Sequence, residues 1–326
     1  MTDITTRQAL LSPVELGDLR LPNRVVMAPI TRARAANDLL VPTELHAAYY
    51  GQRATAGLIV TEGTWISERA ISFDDVPGIY REEQVTAWRR VTDVVHALGG
   101  RIVLQLWHGG PMTPDGMSTE DIEATIADFA AAAANARRAG FDGVEVHAVG
   151  PFLLPQFLNA RVNHRTDVYG TDRGRLLFEV VDAVAGQWAG RCVGVRLSPY
   201  WSTTENFVPD EETLTAYDEY VTELNDHTVA YLHLRGSETD TPDVDSIDRY
   251  RRRFDGPLIA NLGFDRESAD AAIAAGSADA VSFATHYIAN PDLVARFALG
   301  RELATGDPVT YYRGGAEGYV DYPESR

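Results

Sequence analysis

The sequence predicts an α/β fold of the (β/α)8, or TIM-barrel, class, and three observations carry that expectation. Eight short apolar runs rich in β-branched residues alternate with eight helical patterns, and eight is the number of parallel strands that closes a barrel. The 326 residues are 45% hydrophobic, enough to bury one large core. No Gly-x-Gly-x-x-Gly or Walker sequence follows any of the runs, which counts against a doubly wound sheet.

The chain opens with 14–23, where apolar and polar residues alternate about a turn, predicting a hairpin that plugs the N-terminal end of the barrel. Strands are then expected at 24–29, 58–62, 101–107, 143–147, 193–198, 230–234, 258–261 and 280–283. Helices are expected at 43–55, 82–98, 119–139, 173–188, 211–226, 244–254, 266–275 and 291–300, opening at acids, Thr or Pro and often closing at Gly. The alanine-rich 130–134 reads as a tightly packed stretch of helix. The tail from Thr310, rich in Tyr and Gly, gains order only by folding back onto the barrel. With no linker, repeat or low-complexity tract, one domain spanning 1–326 is expected, its site at the C-terminal strand ends.

Composition narrows the chemistry. A formal charge of −18 opposes nucleic acid and anionic membrane surfaces, so the expected partner is a small molecule. No lysine occurs, all 29 cationic side chains being arginine, which excludes every mechanism that needs a lysine imine. The single cysteine, Cys192, lies in an apolar run and reads as a buried strand residue. No apolar run is long enough to span a bilayer, and the start lacks a basic region followed by an apolar stretch, so a cytoplasmic protein is expected.

Nine runs carry a resemblance: Leu21-Pro-Asn-Arg-Val-Val-Met-Ala-Pro-Ile-Thr31, Pro42-Thr-Glu-Leu-His46, Thr61-Glu-Gly-Thr64, Leu104-Gln-Leu-Trp-His108, Ala139-Gly-Phe-Asp-Gly-Val-Glu-Val-His147, Arg165-Thr-Asp-Val-Tyr-Gly170, Arg196-Leu-Ser-Pro199, Ile288-Ala-Asn-Pro-Asp292 and Ala316-Glu-Gly-Tyr-Val-Asp-Tyr-Pro323. In this order they resemble the Old Yellow Enzyme family of FMN-dependent ene-reductases over essentially the whole chain. The resemblance implies that a flavin ring would meet the side chains of Thr31, Gln105, His147 and Arg196 and the backbone of Ala28, Pro29 and Gly63, with Gly263 near the phosphate. Arg196 would face the ring's N1/O2 edge and Gln105 its amide-like edge.

The same resemblance exposes departures. A Gly-Gly turn after strand seven reads Leu262-Gly263, and a Gly-Arg after strand eight reads Ala284-Thr285, so a close-approach site and a charged clamp for phosphate are missing. The partner expected three residues after His147 is Gly150, and the tyrosine that commonly protonates substrate carbon is Phe152. The stretch 108–119 is a few tens of residues shorter than usual, a shortened lid after strand three that suits a bulky substrate. His108, His147 and His233 lack the spacing of a metal centre, so no metal is expected, and Glu145, two residues before His147, reads as a buried structural acid.

Three functions compete on these residues. The leading expectation is an enzyme without cofactor that uses the flavin cleft for a redox-neutral cyclisation, cycloaddition or rearrangement of an unsaturated polyketide-like secondary metabolite. In it His147, Arg196 and Gln105 act on a bulky, apolar substrate with an oxygenated or acidic group, and Thr31, Trp107, Phe152, Tyr312, Leu262 and Thr285 line the site. The alternative is an FMN-dependent NAD(P)H ene-reductase. A non-catalytic small-molecule binding protein is the third.

Overall fold

The computed structural model describes residues 8–110, 113–200, 208–237, 242 and 244–325. After a short turn, β1 (Val14–Leu16) and β2 (Leu19–Leu21) form an antiparallel hairpin. Gly17 makes its turn at φ +60°, and a Cβ there would lie 2.7 Å from Ala230 Cα, so the turn is built against the barrel floor. Leu16, Leu19 and Leu21 are buried with Val26, Leu58, Val60, Val103, Tyr231, Ile259 and Ala280. Each leucine buried there contributes about 1.5–3 kcal/mol, and the hairpin plugs the N-terminal end as its alternation predicts.

The barrel strands are β3 (Val25–Met27), β4 (Leu58–Val60), β6 (Ile102–Trp107), β7 (Gly143–Ala148), β8 (Val193–Leu197), β9 (Tyr231–Arg235), β10 (Leu258–Asn261) and β11 (Ala280–Phe283), with a two-residue β5 (Thr64–Trp65) beside β6. Neighbours in this series pair in parallel, β4 pairs with β6, and β11 returns to β3, so among the described residues eight strands close a (β/α)8 barrel. Alternation along each strand sends one set of side chains to the interior and the other to the helices.

Those helices are α1 (Glu44–Gln52), α2 (Glu82–Ala97), α3 (Thr119–Arg138), α4 (Leu153–Leu158), α5 (Val168–Thr171), α6 (Arg175–Ala185), α7 (Glu211–Glu223), α8 (Val244–Arg251), α9 (Arg266–Ala274), α10 (Thr285–Ala289) and α11 (Leu293–Leu299). Their starts follow capping chemistry: Ser118 accepts from the Asp121 N–H, Asp210 from Thr213 and Asp265 from Ser268. The alanine-rich part of α3 buries Ala132, Ala133 and Ala136, where α3 packs on α6. No helix among the described residues is long and apolar enough to cross a membrane.

The tail folds back as expected, and two arginines hold it. Arg32 donates to the carbonyls of Tyr311 and Gly318, and Arg34 to that of Thr310, while buried Tyr319 stacks on Tyr49 at 4.1 Å. Cys192 departs from expectation: it precedes β8 and is half-buried. The run Arg165-Thr-Asp-Val-Tyr-Gly170 is structural. Arg165 donates to the carbonyls of Pro114 and Met117 and pairs with Asp167, anchoring the short connection from β6 to α3.

Candidate active site

The interior layer under the barrel mouth is a continuous polar network. Alternation on β7 turns Glu145 inward, where it accepts from Gln105 Nε2 (2.8 Å), Tyr231 Oη (3.1 Å) and His233 Nδ1 (2.8 Å). Burial alone would raise the Glu145 pKa, but the His233 contact and the Arg196 charge outweigh it and hold the carboxylate ionised. Burial, then Arg196, lowers the pKa of His233, so its neutral ring donates from Nδ1 and accepts at Nε2 from Ser282 Oγ at 2.7 Å. Arg196 donates to Asn261 Oδ1 at 2.7 Å, and Asn261 donates to the Ser282 carbonyl at 3.0 Å. Burial lowers the Arg196 pKa to about 10, which leaves a cation at neutral pH.

Gln105 and Arg196, expected to meet a ligand, are each bonded within the protein, to Glu145 and to Asn261. Each has only its remaining polar atoms to offer. Asn261, His233, Ser282 and Tyr231, members the sequence did not single out as a group, complete the network. Their shared inward alternation was the available signal.

Above this layer lies an aromatic rim. The half-buried His147 ring stacks on Trp107 (5.6 Å) and meets Phe152 edge-on (5.4 Å), while Trp107 also stacks on Trp65 at 4.3 Å. Burial and the Arg196 charge lower the His147 pKa, so its imidazole is neutral. His147 Nδ1 and Trp107 Nε1 are both buried without a hydrogen-bond partner. Gly63 lies under Trp107, where a Cβ would come within 2.6 Å of the indole. Ala28 donates its N–H to the Phe283 carbonyl at 3.1 Å and keeps none for a ligand; Pro29 and Thr31 follow it, half-buried. Gly150 sits at φ +80° beside the Phe152 ring. Tyr312, expected as an aromatic wall, is 65% exposed.

The β10–β11 end is made differently. Leu262 follows Asn261 at φ +89° and Gly263 at φ +77°, two successive residues in the left-handed region. For a leucine this costs about 1–2 kcal/mol. Thr285 is exposed at the start of the five-residue α10, and Ala284 before it offers no side-chain cap. His286 stacks on Phe283 at 5.9 Å, and burial lowers its pKa, leaving it neutral. The acid Asp265 caps α9 at the same end.

Known proteins with similar sequences cover almost the whole chain. A model of the NADH:flavin oxidoreductase / NADH oxidase family matches residues 9–116 and 111–304. A "probable flavin mononucleotide-dependent alkene reductase" of Leishmania infantum is 38% identical over 356 aligned residues, covering 96% of this chain and 97% of its own. The 12-oxophytodienoate reductase 1 of Oryza sativa subsp. japonica is 36% identical, covering 96% and 92%. The structure of morphinone reductase in complex with tetrahydroNAD superimposes with a TM-score of 0.90 at 39% identity, covering 98% of each chain. The Leishmania alignment is longer than the 326 residues of this chain, and the family match breaks at 111–116, where the shortened lid was expected.

These likenesses overturn two expectations. The flavin-independent cyclase or rearrangement enzyme acting on a polyketide gives way to an oxidoreductase, and the absence of a cofactor gives way to FMN, because flavin enzymes match along nearly the full length. The physical reason lies in what the departures change. Substituting Gly150, Phe152, Leu262 or Thr285 alters how tightly a phosphate or an oxyanion is held and does not by itself create a different reaction. Flavin nevertheless fits the two ends unequally. The ring end offers a cation and unpartnered buried nitrogens, whereas residues 262–265 and 284–286 offer no cation to a phosphate.

Proposed function

Because the chain belongs to the NADH:flavin oxidoreductase / NADH oxidase family, we propose that it is an FMN-dependent oxidoreductase that reduces an alkene conjugated to a carbonyl, with a nicotinamide as reductant. The observation that carries the reading is the pairing of neutral His147, its Nδ1 buried and unpartnered, with the buried cation of Arg196 at one barrel rim. Bound FMN would supply hydride transfer. Thr31, Gln105, Arg196 and the backbone of Ala28, Pro29 and Gly63 would hold its ring, and Gly263 would lie toward its phosphate.

His147 polarises the substrate carbonyl by donating one hydrogen bond, which draws electron density from the alkene. Gly150 adds nothing, and the other unpartnered buried nitrogen beside the imidazole is Trp107 Nε1, an N–H donor. Trp107 therefore stands as the second donor to the oxygen. Phe152 cannot give a proton, so the proton that completes reduction comes from water. Arg196 stays charged and favours negative charge developing on the ring. The short connection after β6 supports a bulky, largely apolar substrate, with Trp107, Phe152 and Thr31 as its walls; exposed Tyr312 stands outside them.

The test is reconstitution with FMN, followed by turnover of an α,β-unsaturated ketone with NADH or NADPH. A product heavier by one H2, formed only with flavin and nicotinamide, supports the reading. Failure of the purified protein to bind any flavin sinks it.

A further inference from the structure

We infer that this chain recognises a flavin by its ring and not by its phosphate, so that it binds riboflavin about as well as FMN. The inference rests on the proposed flavin chemistry and deepens it.

A phosphate carries nearly two negative charges at neutral pH, and a selective site meets it with cations or converging N–H groups. Residues 262–265 and 284–286 provide no cation. Leu262 places a side chain on a backbone already in the left-handed region, where only a glycine lets a ligand approach the amides closely. Thr285 is an exposed neutral hydroxyl at the head of a helix of one turn, too short to supply a useful dipole. His286, packed on Phe283, is neutral, and Asp265 adds a negative charge. Arg266 is turned away, donating to Glu267 and the Phe297 carbonyl. The nearest rival is Arg235, the register partner of Asn261 across β9 and β10. It lies two residues after inward-facing His233, and its charge reaches His147 and Arg196, which places its influence over the ring end.

The ring end supplies the compensating grip. Its cation is locked by Asn261, independent of what the ligand carries beyond the ribityl chain.

Titration of the full chain with FMN and with riboflavin, followed by quenching of flavin fluorescence, tests this without reference to turnover. Dissociation constants within about threefold of each other are expected, since neither a charge-assisted bond nor a helix dipole separates the ligands. The double variant Leu262→Gly/Thr285→Arg should then prefer FMN by about tenfold or more. Native preference for FMN by tenfold overturns the inference while leaving the flavin enzyme intact. Loss of such a preference in Arg235→Gln would show that the clamp has moved to β9. A double variant without preference would also overturn it, because the phosphate would then lie elsewhere. Binding of neither ligand fails the proposed function as well.

Discussion

From β6 to β11 the polar layer inside the barrel is bonded within itself, while just beyond its last two strands lie the half-buried Leu262 and the exposed Thr285. Glu145, His233, Arg196, Asn261 and Ser282 satisfy one another across five strands. Leu262 and Thr285, by contrast, project from loops into partly open space. A substitution in the first group leaves a buried charge or an unpaired polar atom, whereas a substitution in the second changes only what a ligand meets. The two ends therefore differ in how freely their residues can change without endangering the fold, and the departures at the phosphate end cost it no more than the left-handed backbone of Leu262, about 1–2 kcal/mol.

Arg196→Met should break this contrast most forcefully. It removes the charge that helps hold Glu145 ionised and leaves Asn261 Oδ1 buried without its donor, and each such loss costs about 1–3 kcal/mol. Urea denaturation should register that loss, and flavin titration should show binding abolished. Unchanged stability would mean that the network does not couple site to core.

Acid should weaken the molecule next. Burial lowers the His46 pKa to about 3 and the His108 pKa to about 4, so their neutral forms contribute stability that is complete above pH 6.5 and lost as pH falls. Burial raises the Glu62 pKa to about 7, and its contribution has the opposite sign: complete below pH 4.5, it is lost as pH rises through 7. His147, its pKa lowered to about 3, acts with the first two histidines, and His233 and His286 act in the same direction. The first three histidines against one glutamate already leave a net uptake of about two protons on unfolding, so between pH 6.5 and 5 about 3 kcal/mol should disappear. Glu62→Gln should steepen that decline. Stability that held or rose toward pH 5 would reject this account.

The donors at the ring end come third. His147→Ala should slow reduction by about a hundredfold, and Trp107→Phe, which keeps the ring and deletes the N–H, by about tenfold. Gly150→Asn is compatible with φ +80°, although its Cβ would sit 3.0 Å from the Phe152 ring and push it aside by a few tenths of an ångström. It should raise the rate on the order of tenfold by restoring a donor. Trp107→Phe with native rate would leave His147 as sole donor.

The strands of this barrel were legible because buried parallel strands read as apolar runs; 258–261 and 280–283 coincide with β10 and β11. Helix starts were legible through Ser118, Asp210 and Asp265, which declare caps locally. The short α4, α5 and α10 were not, since four to six residues hold too little periodicity to register. Nor was the pairing of Glu145 with His233, 88 residues apart, which exists only once the barrel closes. The cofactor was misjudged for a related reason. Losses at single positions such as Thr285 are vivid in a sequence, whereas the ring end's bonded network, which argues for a retained ring site, is visible only in three dimensions.

Leu262→Gly carries the smallest expected effect and isolates the phosphate end from the barrel core. Removing the side chain forfeits little, because Leu262 is only partly buried. Relieving a left-handed leucine returns about 1–2 kcal/mol, set against about 0.5–1 kcal/mol for the added freedom of a glycine in the unfolded chain. The balance predicts a melting temperature unchanged or raised by a few degrees, an unusual outcome for deleting an apolar side chain. FMN affinity should rise modestly over that of riboflavin, because the substitution opens backbone amides to a phosphate without adding charge. A melting temperature lowered by several degrees would mean that Leu262 packs as part of the core, and the division between a coupled ring end and an uncoupled phosphate end would fail at that residue.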